Sequence, residues 1–308
     1  MRPALVLAAV CACGGAQSSQ ARSASGVAEL VSDDVTGVAR STKEAFPVAS
    51  YVTGLFRGPV PACWTQLVDA ITAGYQLEVP GSSYFVIEGA LPQAEVERCV
   101  VEALHDIMPV TTRRDGELVV FETGRTGPVY AAWRGGRIVA GTKPQVEAAL
   151  RGSAKTRAAW RDRIASLPAG ALAMWRGDHL MANLFGLPTK QYVLVLDQID
   201  KQRPFFAGRV VVEYTRDGDA ELAARRMEQG ELHLKVKAPP ELTAAFKRMT
   251  VKHHGKTVEL AFDMNAFAGL DMAVLQALVD DLAAATPSST DAPKPARATP
   301  PGSDESRC

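Results

Sequence analysis

Asp178 and His179 are neighbouring residues that could act together as an acid and a base. A carboxylate beside an imidazole can orient the ring and support proton transfer. A hydrolase site could therefore be assembled from this pair and a distant carboxylate such as Asp197. The alternative interpretation is structural, because Asp178 also fits the N-cap of a helix over residues 179–185, where its carboxylate would accept backbone hydrogen bonds. The sequence favours this second interpretation.

The local motifs of common catalytic and cofactor sites are absent from the sequence. It contains no G-x-S-x-G or S-x-x-K nucleophile motif, and no glycine-rich loop of the kinds that bind phosphates or dinucleotides. None of the five histidines belongs to an H-E-x-x-H motif. His253 and His254 are adjacent, but in a strand their side chains would face opposite sides and could not bind one ion together. The sequence predicts neither a cofactor nor a metal site, and it favours a non-catalytic protein.

The first residues have the composition of a secretory signal peptide. Arg2 supplies a positive start, and residues 4–12 are all apolar or small. This run has the length of a signal-peptide core and is too short to span a bilayer. It ends in VCAC, residues 10–13, followed by two glycines.

That ending resembles the lipobox of bacterial lipoproteins, in which an aliphatic, a variable and a small residue precede a cysteine. Cys13 matches that cysteine, whereas Cys11 does not, because the valine before it is too large. The resemblance implies that residues 1–12 are removed and that acyl chains on Cys13 hold the protein in a membrane, since two or three chains anchor stably. Gly14, in place of aspartate, implies the outer membrane. An ordinary signal peptide cleaved after Ala16 and a retained N-terminal anchor or helix are the alternatives.

Export would place the remaining cysteines in a compartment that permits disulfides. Cys63 and Cys99 each lie on the apolar side of a predicted helix, and we expect them to pair. Closing the long interval between them would stabilise the fold by about 3–4 kcal/mol in the chain-entropy description. Two buried free thiols are the alternative. Cys308 ends a polar tail and is expected to remain a free thiol.

Composition divides the mature chain into segments. Residues 13–26 lack a run of large apolar residues and predict a flexible tether. Residues 27–152 and 153–285 predict two folded halves, and residues 286–308 contain five prolines and no Leu, Ile, Val or Phe, which predicts a disordered tail. The 34 basic residues balance the 34 acidic ones, so the charge gives no indication of a nucleic-acid partner.

The order of apolar patterns predicts an α+β fold with mixed or antiparallel sheets and packed helices. Gly135-Gly136 lies between two apolar runs and predicts a two-residue hairpin, and another hairpin is expected to turn near Gly255. Residues 84–99 and 210–225 both run from an apolar strand into a helix. This similarity predicts an internal repeat of two related β-α-β-β-α halves. A closing amphipathic helix is expected over residues 266–285.

These features together predict an exported, lipid-anchored protein of the cell envelope with a non-catalytic binding, structural or assembly role. Its expected partners are the membrane, through acyl chains on Cys13, and an envelope protein or an apolar ligand. One alternative is a carrier of a lipid or another apolar ligand, and the other is the secreted hydrolase described above. Four tryptophans could line a carrier cavity or anchor the core: Trp64, Trp133, Trp160 and Trp175.

A basic helix is predicted over residues 155–163, which include four basic residues and one acidic residue. Such a helix can be a solvated face of the protein. It can also contact lipid headgroups or an acidic partner.

Overall fold

The structure is a computed structural model that describes residues 20–42, 60–105, 109–124, 126–168, 172–177, 186–200, 205–230 and 240–267. The helices in these ranges are α1 (Gln20–Ala28), α2 (Ala62–Ala70), α3 (Gln93–Leu104), α4 (Lys143–Arg151), α5 (Ala154–Ala165), α6 (Asp217–Gln229) and α7 (Pro240–Arg248), and a short 3-10 helix follows at Met264–Phe267. The strands are β1 (Gly37–Ser41), β2 (Ile71–Val79), β3 (Ser82–Gly89), β4 (Val110–Asp115), β5 (Leu118–Thr123), β6 (Thr126–Arg134), β7 (Arg137–Gly141), β8 (Leu172–Arg176), β9 (Thr189–Asp200), β10 (Phe205–Tyr214), β11 (Thr250–His254) and β12 (Thr257–Asp263).

All these strands form one antiparallel sheet, in the order β11-β12-β10-β9-β8-β1-β2-β3-β7-β6-β5-β4. The predicted α+β class is confirmed, and every pairing is antiparallel. Strands β1–β7 are contiguous in the sheet and are called the N-terminal half here, while β8–β12 are called the C-terminal half. The two halves meet where β1 pairs with β8, with Val38 opposite Trp175.

The two halves share an order of pairing. In the N-terminal half β1, β2 and β3 form a meander, and β3 then pairs with β7, the second strand of a hairpin. In the C-terminal half β8, β9 and β10 form a meander, and β10 pairs with β12, again the second strand of a hairpin. A helix follows both β3 and β10. The N-terminal half has an additional β4–β5 hairpin, so the predicted β-α-β-β-α repeat remains a prediction, as do its boundaries.

Both predicted hairpins turn at glycines with positive φ. Gly135 and Gly136 have φ of 55° and 76° between β6 and β7, and Gly255 has φ of 54° between β11 and β12. Side chains other than glycine rarely adopt such angles, which is why these glycines identified the turns.

Helices cover both faces of the N-terminal half of the sheet. Phe85 and Ile87 pack with α2 and α3, whereas Tyr84 and Val86 pack with α1, α4 and α5. Because side chains alternate along a strand, these two sets of helices lie on opposite faces. The helices α6 and α7 pack with Met174 rather than with its neighbour Trp175, so they share the face of α2 and α3.

The N-terminal boundary of the body differs from its prediction. The composition predicts a flexible tether up to residue 26, but residues 20–26 belong to α1, whose Ala24, Val27 and Ala28 are buried. Small side chains allow the helix to pack closely on its neighbours, and their low hydrophobicity made the segment look like a linker. The body therefore includes the residues from Gln20 onward.

Several predicted features lie outside the described residues. These are Cys11, Cys13, Cys308, the signal peptide, most of the closing helix and the tail. Within the described ranges, no helix combines the length and apolar character needed to cross a membrane.

Candidate functional site

The residues proposed for hydrolysis are not brought together within the described part of the chain. Asp178 and His179 lie outside it. Asp197 lies on β9, where its two carboxylate oxygens accept hydrogen bonds from Arg209 on β10 at 2.8 and 2.7 Å. Asp197 therefore forms a cross-strand ion pair, an arrangement that stabilises neighbouring strands.

The adjacent histidines lie on β11, the strand at one end of the described sheet. His253 is opposite Val258 and His254 is opposite Thr257, and both histidines are exposed. Their side chains point to opposite faces, as the alternation of a strand requires. In the described ranges, no group of three or more His, Cys, Asp or Glu residues is placed to hold a metal ion.

The predicted disulfide between Cys63 and Cys99 is present. It joins α2 to α3, with 5.7 Å between the two Cα atoms, and Cys99 is almost fully buried. The bond lies in the core that these helices form with one face of the N-terminal half of the sheet.

A small apolar cavity lies beside the disulfide-linked helices. Its volume is about 20 Å³, which accommodates one water molecule and is too small for an acyl chain. Trp133 lines it and donates from Nε1 to the carbonyl of Leu91 at 3.1 Å. The other lining residues are Leu67, Ile87, Leu91, Val96, Val100, Phe121, Ala131 and Ile138.

The remaining tryptophans belong to the packing of the fold. Trp64 and Trp160 are buried in the cores on opposite faces of the sheet. Trp160 and Trp175 meet edge to face with ring centroids 5.3 Å apart, and the guanidinium of Arg163 lies 4.4 Å from the Trp175 ring. Trp175 also donates from Nε1 to Gln191 at 2.9 Å. This cluster connects α5 to the C-terminal half of the sheet.

The segment that follows α1 is attached to α5 by charged and polar groups. Glu29 forms ion pairs with Arg157 at 2.9 Å and with Arg161 at 3.6 Å. Asp33 accepts hydrogen bonds from the hydroxyls of Ser153 and Thr156 and from the backbone N–H of Ser153 at the N-terminus of α5. The hydrogen bond from Thr156, followed by those from Ser153, lowers the pKa of Asp33 below its usual value.

A buried tyrosine holds the same segment from the sheet side. The hydroxyl of Tyr84 on β3 donates to the carbonyl of Leu30 and accepts from the backbone N–H of Ser32, both at 2.9 Å. Tyr84 is fully buried, and this burial raises its pKa to about 12. The hydroxyl therefore stays protonated at neutral pH and can serve as both donor and acceptor.

Arg40 is a buried charge that sequence patterns did not indicate. It lies on β1 in the middle of the sheet, is 8% exposed, and donates from Nη2 to the carbonyl of Pro168 at 2.7 Å. Pro168 follows α5, so Arg40 lies near the negative end of that helix dipole. The contacts of Glu29 and Asp33 were missed as well, because their partners are more than 100 residues away in the chain.

Comparisons with known proteins find one kind of similarity. No family model matches the sequence, and no curated protein matches it. Among solved structures, crystal form III of TP0453 shares 10% sequence identity at a TM-score of 0.44, and the match covers 82% of this chain and 97% of that one. Crystal form I shares 13% identity at 0.43 over the same fractions, and crystal form IV shares 11% at 0.44, covering 79% and 93%. Similarities at these TM-scores assign neither a function nor a partner to this chain.

Proposed function

We propose that this chain is an exported, lipid-anchored protein of the cell envelope with a non-catalytic binding, structural or assembly role. The observation that carries the proposal is the Cys63–Cys99 disulfide. Disulfides of this kind persist in oxidising compartments, and the lipobox-like sequence before Cys13 directs a chain to such a compartment.

The described contacts of charged side chains support the structural part of this role. Asp197 is engaged by Arg209, and Glu29 and Asp33 attach the segment after α1 to α5. These groups join elements of the fold to one another. The cavity beside α3 is far smaller than the several hundred Å³ of typical ligand pockets, so this part of the N-terminal half gives no support for carriage of an apolar ligand.

The anchor is tested by metabolic labelling with palmitate. Cys13→Ser should abolish the label and move the protein from the membrane fraction to the soluble fraction, because the acyl chains are the proposed anchor. Cys11→Ala is the matched control and should leave both labelling and fractionation intact. A Cys13→Ser protein that stays in membranes and is still labelled would refute the proposal.

The outer membrane is the proposed location of the anchor, on the basis of Gly14. Gly14→Asp should move the protein toward the inner-membrane fraction of a sucrose gradient while palmitate labelling persists. Unchanged fractionation of this variant would contradict the proposed sorting and leave the anchor itself unaffected.

A further inference from the structure

An apolar band crosses β8, β9 and β10 on the face of the C-terminal half where α6 and α7 pack. In the register of the sheet, Leu172 and Met174 on β8 lie beside Leu196 and Leu194 on β9, and Leu194 lies beside Val210 on β10. Because side chains alternate along each strand, these side chains all lie on one face. These residues are called the leucine band here.

The described helices cover the leucine band only in part. Met174 and Val210 pack at the margin of the core that α6 and α7 form with the sheet. The three leucines belong to none of the buried clusters of the described residues, and every member of the band is half-buried. A contiguous apolar surface without a charged member favours a further contact, because its exposure to water is unfavourable.

The chain leaves the last described range on the face of the leucine band. The 3-10 helix Met264–Phe267 follows β12 directly, and its Ala266 is buried. Arg248, the last residue of α7, donates from Nε and Nη2 to the carbonyl of Ala266 at 3.1 and 2.8 Å. Since α7 packs on the same face as the band, the residues after Phe267 begin beside that face.

The sequence after Phe267 has the pattern and the length to cover the band. The amphipathic helix expected in this region places Leu270, Val274 and Leu278 on one apolar stripe. A helix over residues 268–285 would be about 27 Å long at 1.5 Å per residue. The three strand spacings from β12 to β8 amount to about 14 Å, so the segment is long enough to cross the band.

The opposite face of the C-terminal half fits this stripe less well. Val211 lies there between Arg209 and Glu213 on β10, and Arg209 is paired with Asp197 on β9. An apolar stripe laid on these groups would remove charges from water, which is costly. The leucine band contains no charge that would be desolvated.

We propose that residues 268–285 form a helix that lies on the leucine band, beside α6 and α7, and completes the cover of this face. The segment supplies an apolar stripe, and the band supplies an apolar surface at the place where the chain emerges. The proposal is independent of acylation at Cys13, because the band and the segment belong to the body.

Thiol labelling of the full-length protein tests this cover. Leu194→Cys places a probe in the leucine band, and Gln76→Cys provides a control at an exposed position on the same face of β2. Both carry Cys308→Ser, and the labelled peptides are quantified by mass spectrometry after reaction with a maleimide. We expect Leu194→Cys to react about tenfold more slowly than Gln76→Cys or slower still, because its thiol is reached only when the segment opens. Equal rates would overturn the proposal.

A charge on the apolar stripe should uncover the band. Leu278→Asp should raise the labelling rate of Leu194→Cys about threefold or more, because a carboxylate is costly to bury. Gln276→Asp is the matched control and should leave the rate unchanged, since residues two positions apart point to nearly opposite sides of a helix. An unchanged rate in Leu278→Asp would overturn the proposal.

A second probe separates release of the segment from unfolding of the body. Ala223 on α6 is completely buried, so Ala223→Cys should stay protected in the Leu278→Asp protein. If Ala223→Cys becomes reactive as well, the milder Leu278→Ala replaces Leu278→Asp, with the same expected direction and the same refuting result.

Other occupants of the band give different results. Protection of Leu194→Cys that falls on dilution of the purified protein would assign the band to a second copy of this chain and overturn the proposal. Protection that persists on dilution and falls in Leu278→Asp but not in Gln276→Asp supports it. Loss of palmitate labelling bears only on the anchor and leaves these outcomes unchanged.

Discussion

The two halves of the sheet are built alike in strand order but are held together differently. The N-terminal half is packed by helices on both faces, contains the disulfide, and satisfies the hydroxyl of its buried Tyr84. The C-terminal half packs α6 and α7 on one face. On its other face Val193, Val211 and Ala261 are half-buried and belong to none of the three buried clusters.

Among the described residues, the N-terminal half therefore has more helical cover than the C-terminal half. The attachments of α1 and of α5 concentrate on the N-terminal half, where the proposed membrane anchor enters the fold. Among the described strands, the C-terminal half ends at β11, whose side chains are mostly charged or polar and exposed.

The largest expected effect comes from the disulfide of the N-terminal half. The double variant Cys63→Ser/Cys99→Ser should lose about 3–4 kcal/mol of unfolding free energy, because the reduced chain regains the entropy of an open loop. Guanidinium denaturation of the purified protein measures the loss. Cys308→Ser serves as the control for removal of a thiol and should change the midpoint little. A double variant as stable as the original chain would show that the helix pair is held by packing alone.

The next largest effect should follow removal of the Tyr84 hydroxyl. Tyr84→Phe leaves the buried carbonyl of Leu30 and the N–H of Ser32 without this partner. The expected loss is about 1–3 kcal/mol, the usual effect of orphaned buried polar groups. Urea denaturation measures this loss. Backbone amides of α1 should also exchange their hydrogens faster in the variant than in the original chain. No change in either measurement would mean that the segment after α1 is held by its ion pairs.

A pH-dependent effect is expected from Asp33, which belongs to the same attachment. Hydrogen bonds lower its pKa below the ordinary 3.8, so its contribution is fully present above that value. The contribution is lost as the pH falls through the lower folded-state pKa. Asp33→Asn should therefore flatten the fall in stability below about pH 4, as followed by circular dichroism during acid titration. Identical acid unfolding of both proteins would contradict this role.

The smallest effect should come from a buried tyrosine of the C-terminal half. Tyr214 is fully buried on β10, and among the described residues its hydroxyl has no hydrogen-bond partner. Burial raises its pKa above the ordinary value. Tyr214→Phe removes an unsatisfied group, so stability should change by less than about 1 kcal/mol or increase slightly. The unfolding free energy of Tyr214→Phe is measured under the same conditions as that of Tyr84→Phe. A large loss for Tyr214→Phe would contradict the proposed contrast between the two halves.

Local signals in the sequence were sufficient for some elements. The paired glycines at 135–136 require positive φ, and the structure places a hairpin there. Cys63 and Cys99 each occupied the apolar side of a helix, and burial of both faces in one core brings them together. These predictions succeeded because the fold depends on the same local property that the sequence displays. For the glycines that property is backbone freedom, and for the cysteines it is a position on the apolar side of a helix.

Other elements were beyond the reach of local signals. The segment at 20–28 is weakly hydrophobic, and it forms a helix because small side chains fit against α5 and the sheet. The buried position of Arg40 likewise depends on α5 ending nearby, which no neighbouring residue in the chain specifies.

The sequence by itself determined the α+β class, the two glycine hairpins, the cysteine pair and the lipobox-like segment on which the proposed anchor depends. Each of these follows from residues that are neighbours in the chain or that share an apolar pattern. Only the tertiary structure decided that β1 and β8 join the halves into one sheet and that α1 belongs to the body. These features depend on contacts between residues that are far apart in the chain. Such contacts stabilise the protein only after the whole sheet has formed.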